Sequence, residues 1–211
     1  MNQKLVSKSN YVLRKVINKE ECIDILQNFI ESILDIKIKK ISLNSYLTKK
    51  EKNLPKEENF GIADLRIRTD ENEEINIGIQ FVDGKYIETK LLIYYSQIHA
   101  NQLEYEDRRE VARTVTINML DFNYFNSTDY QKKIKIVSND VDIQMEELEI
   151  ITIELPKFKI ENTDYITPKE EWLEFLKGDN EEMLEIVKTN NKKIKKLDHL
   201  LEDYWNKEKM E

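Results

Sequence analysis

With one cysteine, Cys22, the chain has no disulfide framework of its own, and a lone thiol inside a helical pattern reads as a small core residue rather than a reactive group. Glycine and proline are scarce, at 4 and 3 of 211 residues, which is not a disordered composition, and no low-complexity tract is present. No stretch approaches the ~18 consecutive apolar residues of a membrane span. Residues 1–15, MNQKLVSKSNYVLRK, lack the apolar centre of a secretory signal. These absences point to the cytoplasm and to no membrane partner. The two histidines, His99 and His199, are too isolated to suggest a histidine metal site. Basic residues number 33 against 41 acidic ones, for a formal charge of −8. That balance excludes a protein that coats nucleic acid by charge alone, and leaves room for a local basic groove.

What is present suits one folded unit. Hydrophobic residues make up 40% of the chain and charged residues 35%, enough for a core with a well-solvated surface. Ile23, Leu26, Phe29, Ile30, Ile33 and Leu34 recur at helical spacing and predict a helix over 19–35. Alternation over 36–47 predicts a half-exposed strand, bulged at Lys39-Lys40. Residues 48–59 read as a charged loop around Pro55. Strands follow at 60–69 and 74–82, joined by an acidic turn, then a helix over 86–103. The β-branched run at 111–121 suits a central strand, and 131–137 and 148–155 suit two more. From Thr167 the chain reads as helical, opening on a capping box, Thr167-Pro168-Lys169-Glu170. Gly178-Asp179-Asn180 and Asn190-Asn191 break the tail into segments, the last of them over 191–206. The order is that of a mixed α/β domain with a helical tail.

The stretch FGIADLRIRTDENEEINIGIQFVDGKY, residues 60–86, carries the strongest chemical signal. Asp64 stands alone among apolar neighbours on the first strand, and Gln80 stands between Ile79 and Phe81 on the second. A polar group inside such a run costs free energy unless it is paired or binds a metal. Two strands that each offer a polar group to one face can form a metal-assisted phosphodiester site. The position where such a site wants a second acid is Gly78. Read as plain structure, Asp64 is a buried acid paired with Lys90 or Arg66, and Gln80 is a core amide bonded to backbone. Tyr94 and Tyr95 read as core and surface-edge aromatics. The lysine runs 49–52 and 192–196 read as solvated faces, although the first could meet DNA phosphates.

Asp64 in IADLRIR, Gln80 in IGIQF, Lys90 and Tyr94 in KLLIYYSQ, TINMLDFNYF at 116–125, IELPKF at 153–158 and EWLEFL at 171–176 occur in one order along nearly the whole chain. In that order they resemble the PD-(D/E)XK nuclease family transposases, also called recombination-promoting nucleases. The resemblance implies a restriction-endonuclease-like α/β core, a mixed sheet flanked by helices, over 1–160. It also implies a helical extension over 161–211, packed on that core or at a dimer interface. It implies a DNA endonuclease, a hydrolase using Mg²⁺ or Mn²⁺. Asp64 and the main-chain carbonyl of Ile79 would be metal ligands, and Gln80 the group that positions water. Lys90 stands where the family carries an arginine, keeping the charge for a phosphate without the bidentate geometry. Gly78 leaves the second metal carboxylate missing, for which Glu31 or Glu88 would be the substitutes to examine. Restoring it by Gly78→Glu would raise activity if the rest of the site is intact.

Three readings stay open at this point. The chain is a metal-dependent endonuclease with cleavage weakened or lost. Alternatively, it is an inactive nuclease-fold protein that binds DNA or a protein partner, with a homodimer as one possibility. Or Gly78 is an installed change that silences a toxic nuclease.

Overall fold

The computed structural model describes residues 13, 16, 17, 19–43, 63–71, 73–82, 86–100, 112–137 and 144–208. The charged loop at 48–59, with Lys49, Lys50 and Lys52, lies outside these residues, as does the break at Asp83-Gly84. A 3-10 turn at Glu20–Cys22 leads into α1, Ile23–Leu34, which ends where Asp35 adopts a left-handed conformation with φ 55°. Six strands follow among the described residues: β1 (Ile38–Leu43), β2 (Ala63–Thr69), β3 (Glu74–Val82), β4 (Arg113–Leu120), β5 (Gln131–Val137) and β6 (Gln144–Glu154). Helix α2, Ile87–Ala100, lies between β3 and β4 in the chain. Helices α3 (Pro168–Lys177), α4 (Glu181–Asn190) and α5 (Lys192–Glu208) complete the described chain.

The strands form one sheet in the order β1-β2-β3-β4-β6-β5. β1, β2 and β3 pair antiparallel, β4 lies parallel to both β3 and β6, and β5 returns antiparallel to β6. This is the mixed, helix-flanked sheet that the resemblance implies. The bulge expected at Lys39-Lys40 is present as a register shift between Ile38 and Lys40. β6 begins at Gln144, four residues before the expected start of its strand.

Period-two alternation gives the sheet two faces of different chemistry. One carries Leu65, Ile67, Ile75, Ile77, Ile79, Val115, Ile117, Met119, Ile151 and Ile153, all buried in a single cluster with residues of α1, α3 and α5. Trp172 of α3 anchors that layer. Its indole N–H donates to Asn28 Oδ1 at 2.9 Å, and its ring meets Phe29 edge-on at 5.4 Å between centroids. Cys22 is fully buried there, its thiol donating to the Val16 carbonyl. The expected capping box is in place, Thr167 Oγ1 accepting from the Glu170 N–H while the Glu170 carboxylate accepts from the Thr167 N–H. The last helix docks on the chain itself. Ile194, Leu197 and Leu201 are buried in the shared cluster, and Lys193 and Lys196 bond Asp24 at 2.6 and 2.9 Å. Half of the second lysine run is thus an intramolecular clamp rather than a solvated face. The other face of the sheet is polar and lies under α2, which touches both β3 and β4.

Candidate functional site

Helix α2 crosses the polar face with three anchors. Ile87 and Leu91 pack on Leu120 at the end of β4. Tyr94 lies over Gly78, and the His99 ring nitrogen Nδ1 sits 2.9 Å from Thr114 Oγ1. Beneath the helix the face holds Gly78 and Gln80 of β3, Thr114, Thr116 and Asn118 of β4, and Thr152 of β6, all buried.

Backbone register assembles the positions singled out by sequence. Asp64 is the direct partner of Gly78 across β2 and β3, and opposed residues of an antiparallel pair share a face. Gln80, two residues on, shares it too. On the other side of β3, Gly78 is level with Thr116 and Gln80 with Asn118. Positions 64, 78 and 80 therefore converge on one patch of the polar face. Asp64 is described here by its backbone.

The Gln80, Asn118 and Tyr94 side chains are already committed, whereas the buried Thr152 hydroxyl on the same face has no hydrogen-bond partner. Gln80 is 1% exposed, and its amide donates to Asn118 Oδ1 at 2.5 Å. Asn118 in turn donates to the Ile151 carbonyl at 3.0 Å and to Thr116 Oγ1 at 3.3 Å. The Ile79 carbonyl accepts from the Tyr94 hydroxyl at 3.2 Å. Glu31 lies on α1, across the sheet from this patch. Its carboxylate accepts from the Ile38 N–H at 2.8 Å and the Gln27 amide at 3.2 Å, so it fastens the start of β1. Glu88, in the first turn of α2, is exposed and takes the Tyr124 hydroxyl. It lines an apolar recess of about 270 Å³ shared with Leu91, Leu92, Tyr95, Tyr124 and Phe125. Lys90 is half-buried on α2. The structure thus brings 64, 78, 79 and 80 together, and turns Glu31 and Glu88 to other partners.

Mg²⁺ prefers several hard anionic oxygens in octahedral array. At this patch the sequence offers a carboxylate at 64, nothing at 78, and a carbonyl at 79 that already accepts a hydrogen bond. Among the described residues no group of three His, Cys, Asp or Glu side chains is placed to hold a metal ion. The donors at 64, 78 and 79 do not by themselves make up a tight Mg²⁺ site.

Sequence reasoning passed over two features. Asn118, quoted only within a motif, is the residue that fixes the Gln80 amide. Glu154 and Lys157, in IELPKF, form a buried clamp: Lys157 Nζ bonds Glu154 Oε2 at 2.6 Å and the Ser127 carbonyl at 2.7 Å. Glu154 Oε1 accepts from the Phe125 N–H at 3.1 Å. The clamp holds the DFNYF loop against the end of β6. The visible signal was a charged pair three residues apart at the end of an apolar strand.

The family model described as PD-(D/E)XK nuclease family transposase matches residues 7–211. No curated protein and no solved structure matches the chain. Among the described residues no helix is long and apolar enough to cross a membrane.

Proposed function

Because this chain belongs to the PD-(D/E)XK nuclease family transposases, we propose that it acts on DNA and that its Mg²⁺-dependent phosphodiester hydrolysis is weakened or lost through Gly78. The observation that carries this reading is the backbone register pair Asp64–Gly78, an acidic position opposite a residue with no side chain. Phosphodiester hydrolysis needs the charge developing on phosphate to be offset and a water to be activated. With one carboxylate, an occupied carbonyl at 79 and a Gln80 amide turned to Asn118, the residues at the patch supply little of either. In this proposal Asp64 and Gln80 keep the polar character of the site, and Lys90 offers a positive charge to a phosphate.

Supercoiled plasmid incubated with Mg²⁺ or Mn²⁺ tests the cleavage half, and fluorescence anisotropy with labelled duplex DNA tests the binding half. The expected result is binding with nicking at or near background, unchanged by Asp64→Ala. Strong, chelator-sensitive nicking that Asp64→Ala abolishes would overturn it.

A second reading is a non-cleaving protein-binding module. The formal charge of −8 and the exposed Leu92 and Tyr124 of the α2 recess favour it. Absence of DNA binding at low salt would select this reading over the first.

A further inference from the structure

We infer that Lys40, Arg66 and Arg68, on the open half of the sheet's polar face, form the strip that grips the phosphodiester backbone of DNA beside position 64. The inference names the binding surface for the functional reading above, and rests on that reading for the choice of DNA as the ligand.

Strand period two lays the strip out. Leu65 and Ile67 of β2 are buried in the core cluster, so Arg66 and Arg68 point to the other face, the one that carries position 64. Alternate residues of a strand are ~6.7 Å apart, which puts both arginines within two such steps of the acidic position. On β1, Lys40 is level with Arg68 and Ser42 with Arg66, while Ile41 packs on the core. Helix α2 lies over β3 and β4. Over β1 and the end of β2 the same face meets solvent: Lys40 and Ser42 are exposed, and the Arg68 side chain is 48% exposed. Ser42 is short, and its hydroxyl turns to the Arg66 carbonyl at 3.3 Å.

The charges on the strip do not cancel. Glu74 is the direct cross-strand partner of Arg68 and meets it at 2.5 Å, a pair that balances by itself. Arg66 opposes Asn76, yet it reaches diagonally to the same carboxylate at 2.7 Å. Two guanidiniums on one carboxylate leave a surplus positive charge, and Lys40 beside Arg68 adds a second. Like charges gathered on a surface repel one another, and a bound anion relieves that repulsion. Glu74 also holds both guanidiniums against the sheet, which lowers the cost of ordering them around a phosphate. Each guanidinium has five N–H donors in a planar fork, the geometry that suits phosphate oxygens. The acids Asp70, Glu71 and Glu73 lie past Thr69 at the hairpin end, and Glu73 is itself paired with Arg113. They bound the strip at one end as position 64 bounds it at the other. A chain of formal charge −8 that holds DNA needs such a local concentration of positive charge, and this one leads directly to the patch at 64, 78 and 80.

Fluorescence anisotropy with labelled duplex DNA, repeated from about 50 to 200 mM salt, tests the strip. Three proteins are compared: the parent, Arg66→Gln with Arg68→Gln, and a charge-matched control, Lys192→Gln with Lys195→Gln. The control lysines are exposed on α5, which packs against the opposite face of the sheet. The arginine variant should lose about tenfold or more in affinity at the lower salt, and its slope of log affinity against log salt should flatten by about 1–2. The control should stay within about threefold of the parent and keep its slope. Equal losses in the two variants would show that net charge alone matters, and would overturn the inference. Should the arginine variant not fold by circular dichroism, Arg68→Gln alone decides, with a slope change of about 1 expected and an unchanged slope overturning the strip. A parent that binds no DNA at low salt sinks the functional reading and the strip with it. A parent that binds while the arginine variant matches the control sinks the strip alone.

Discussion

Gln80 and Asn118, 38 residues apart, are joined side chain to side chain across β3 and β4, the glutamine amide donating to Asn118 Oδ1 at 2.5 Å in full burial. The bond decides which way the Gln80 side chain faces. Its amide points along the sheet toward β4, away from β2, so the glutamine belongs to a core network as well as to the patch.

Asn118→Ala should lower stability by roughly 2–4 kcal/mol, because it strands the buried Gln80 amide and removes the bond to the Ile151 carbonyl. Gln80→Met in the same chain should cost less in the Asn118→Ala background than alone, since its partner is already gone. Urea unfolding of the four proteins gives the coupling, expected at about 1 kcal/mol or more. Additive losses would show that the two side chains do not support each other.

A buried acid in the middle of β6 supplies a prediction in acid. Glu149 accepts from the Arg113 guanidinium, and Lys133 Nζ lies 3.2 Å away. Burial works to raise the Glu149 carboxyl, but the hydrogen bonds and charges of Arg113 and Lys133 outweigh it and hold the group below its usual value of 4.5. A carboxyl depressed in the folded state stabilises above the unfolded value, and that contribution is lost as pH falls through the folded value. Arg113→Gln should therefore cost about 1–3 kcal/mol at pH 7. The deficit should shrink as pH drops below 4.5, the carboxyl's ordinary value. Thermal melts of both proteins from pH 7 to pH 3 would show the two curves converging.

Glu171 behaves in the opposite sense. It is buried on α3, and burial raises its carboxyl above the ordinary value although the Asn191 amide donates to it at 3.0 Å. An acid raised in the folded state destabilises once pH passes the unfolded value, and the penalty is complete above the folded one. Glu171→Gln keeps an oxygen for Asn191 and removes the charge. Its melting temperature at pH 7 should rise by roughly 2–4 °C, the response to about 1 kcal/mol in a domain this size. Near pH 4 the gain should vanish, and a gain that persists there would mean that charge is not its source.

Much of the fold was legible because its signals are local. β-branched runs marked β3 and β4, Thr167 and Glu170 marked the start of α3, and strand period two put Gly78 and Gln80 on one face. The partner of Asp64 was also within reach, since a short acidic turn fixes the β2–β3 register. What failed to show was decided by elements that meet only after folding. The Gln80 amide finds its acceptor on β4, and Tyr94 reaches Gly78 only when α2 lies across the sheet. Glu31, a candidate substitute acid by sequence, meets its Ile38 N–H partner only once β1 is in place. The start of β6 was missed because Gln144-Met145-Glu146-Glu147 carries no apolar alternation.

The last helix gives the largest expected effect. Ile194, Leu197 and Leu201 are buried in the cluster shared with the sheet, while Leu200, Tyr204 and Trp205 pack against it in part. Burying one such aliphatic side chain is worth roughly 1.5–3 kcal/mol, so the three together contribute about 4.5–9 kcal/mol. A whole domain is stable by only about 5–15 kcal/mol. Loss of Lys193 and Lys196 also frees Asp24 on α1. Truncation after Asn190 should therefore abolish cooperative unfolding and leave a chain that aggregates. Light scattering coupled to size-exclusion chromatography separates this from a dimer role. A truncated protein that stays folded while its mass halves would make α5 a subunit contact. One unchanged in both mass and melting temperature would show that the buried stripe adds nothing to stability.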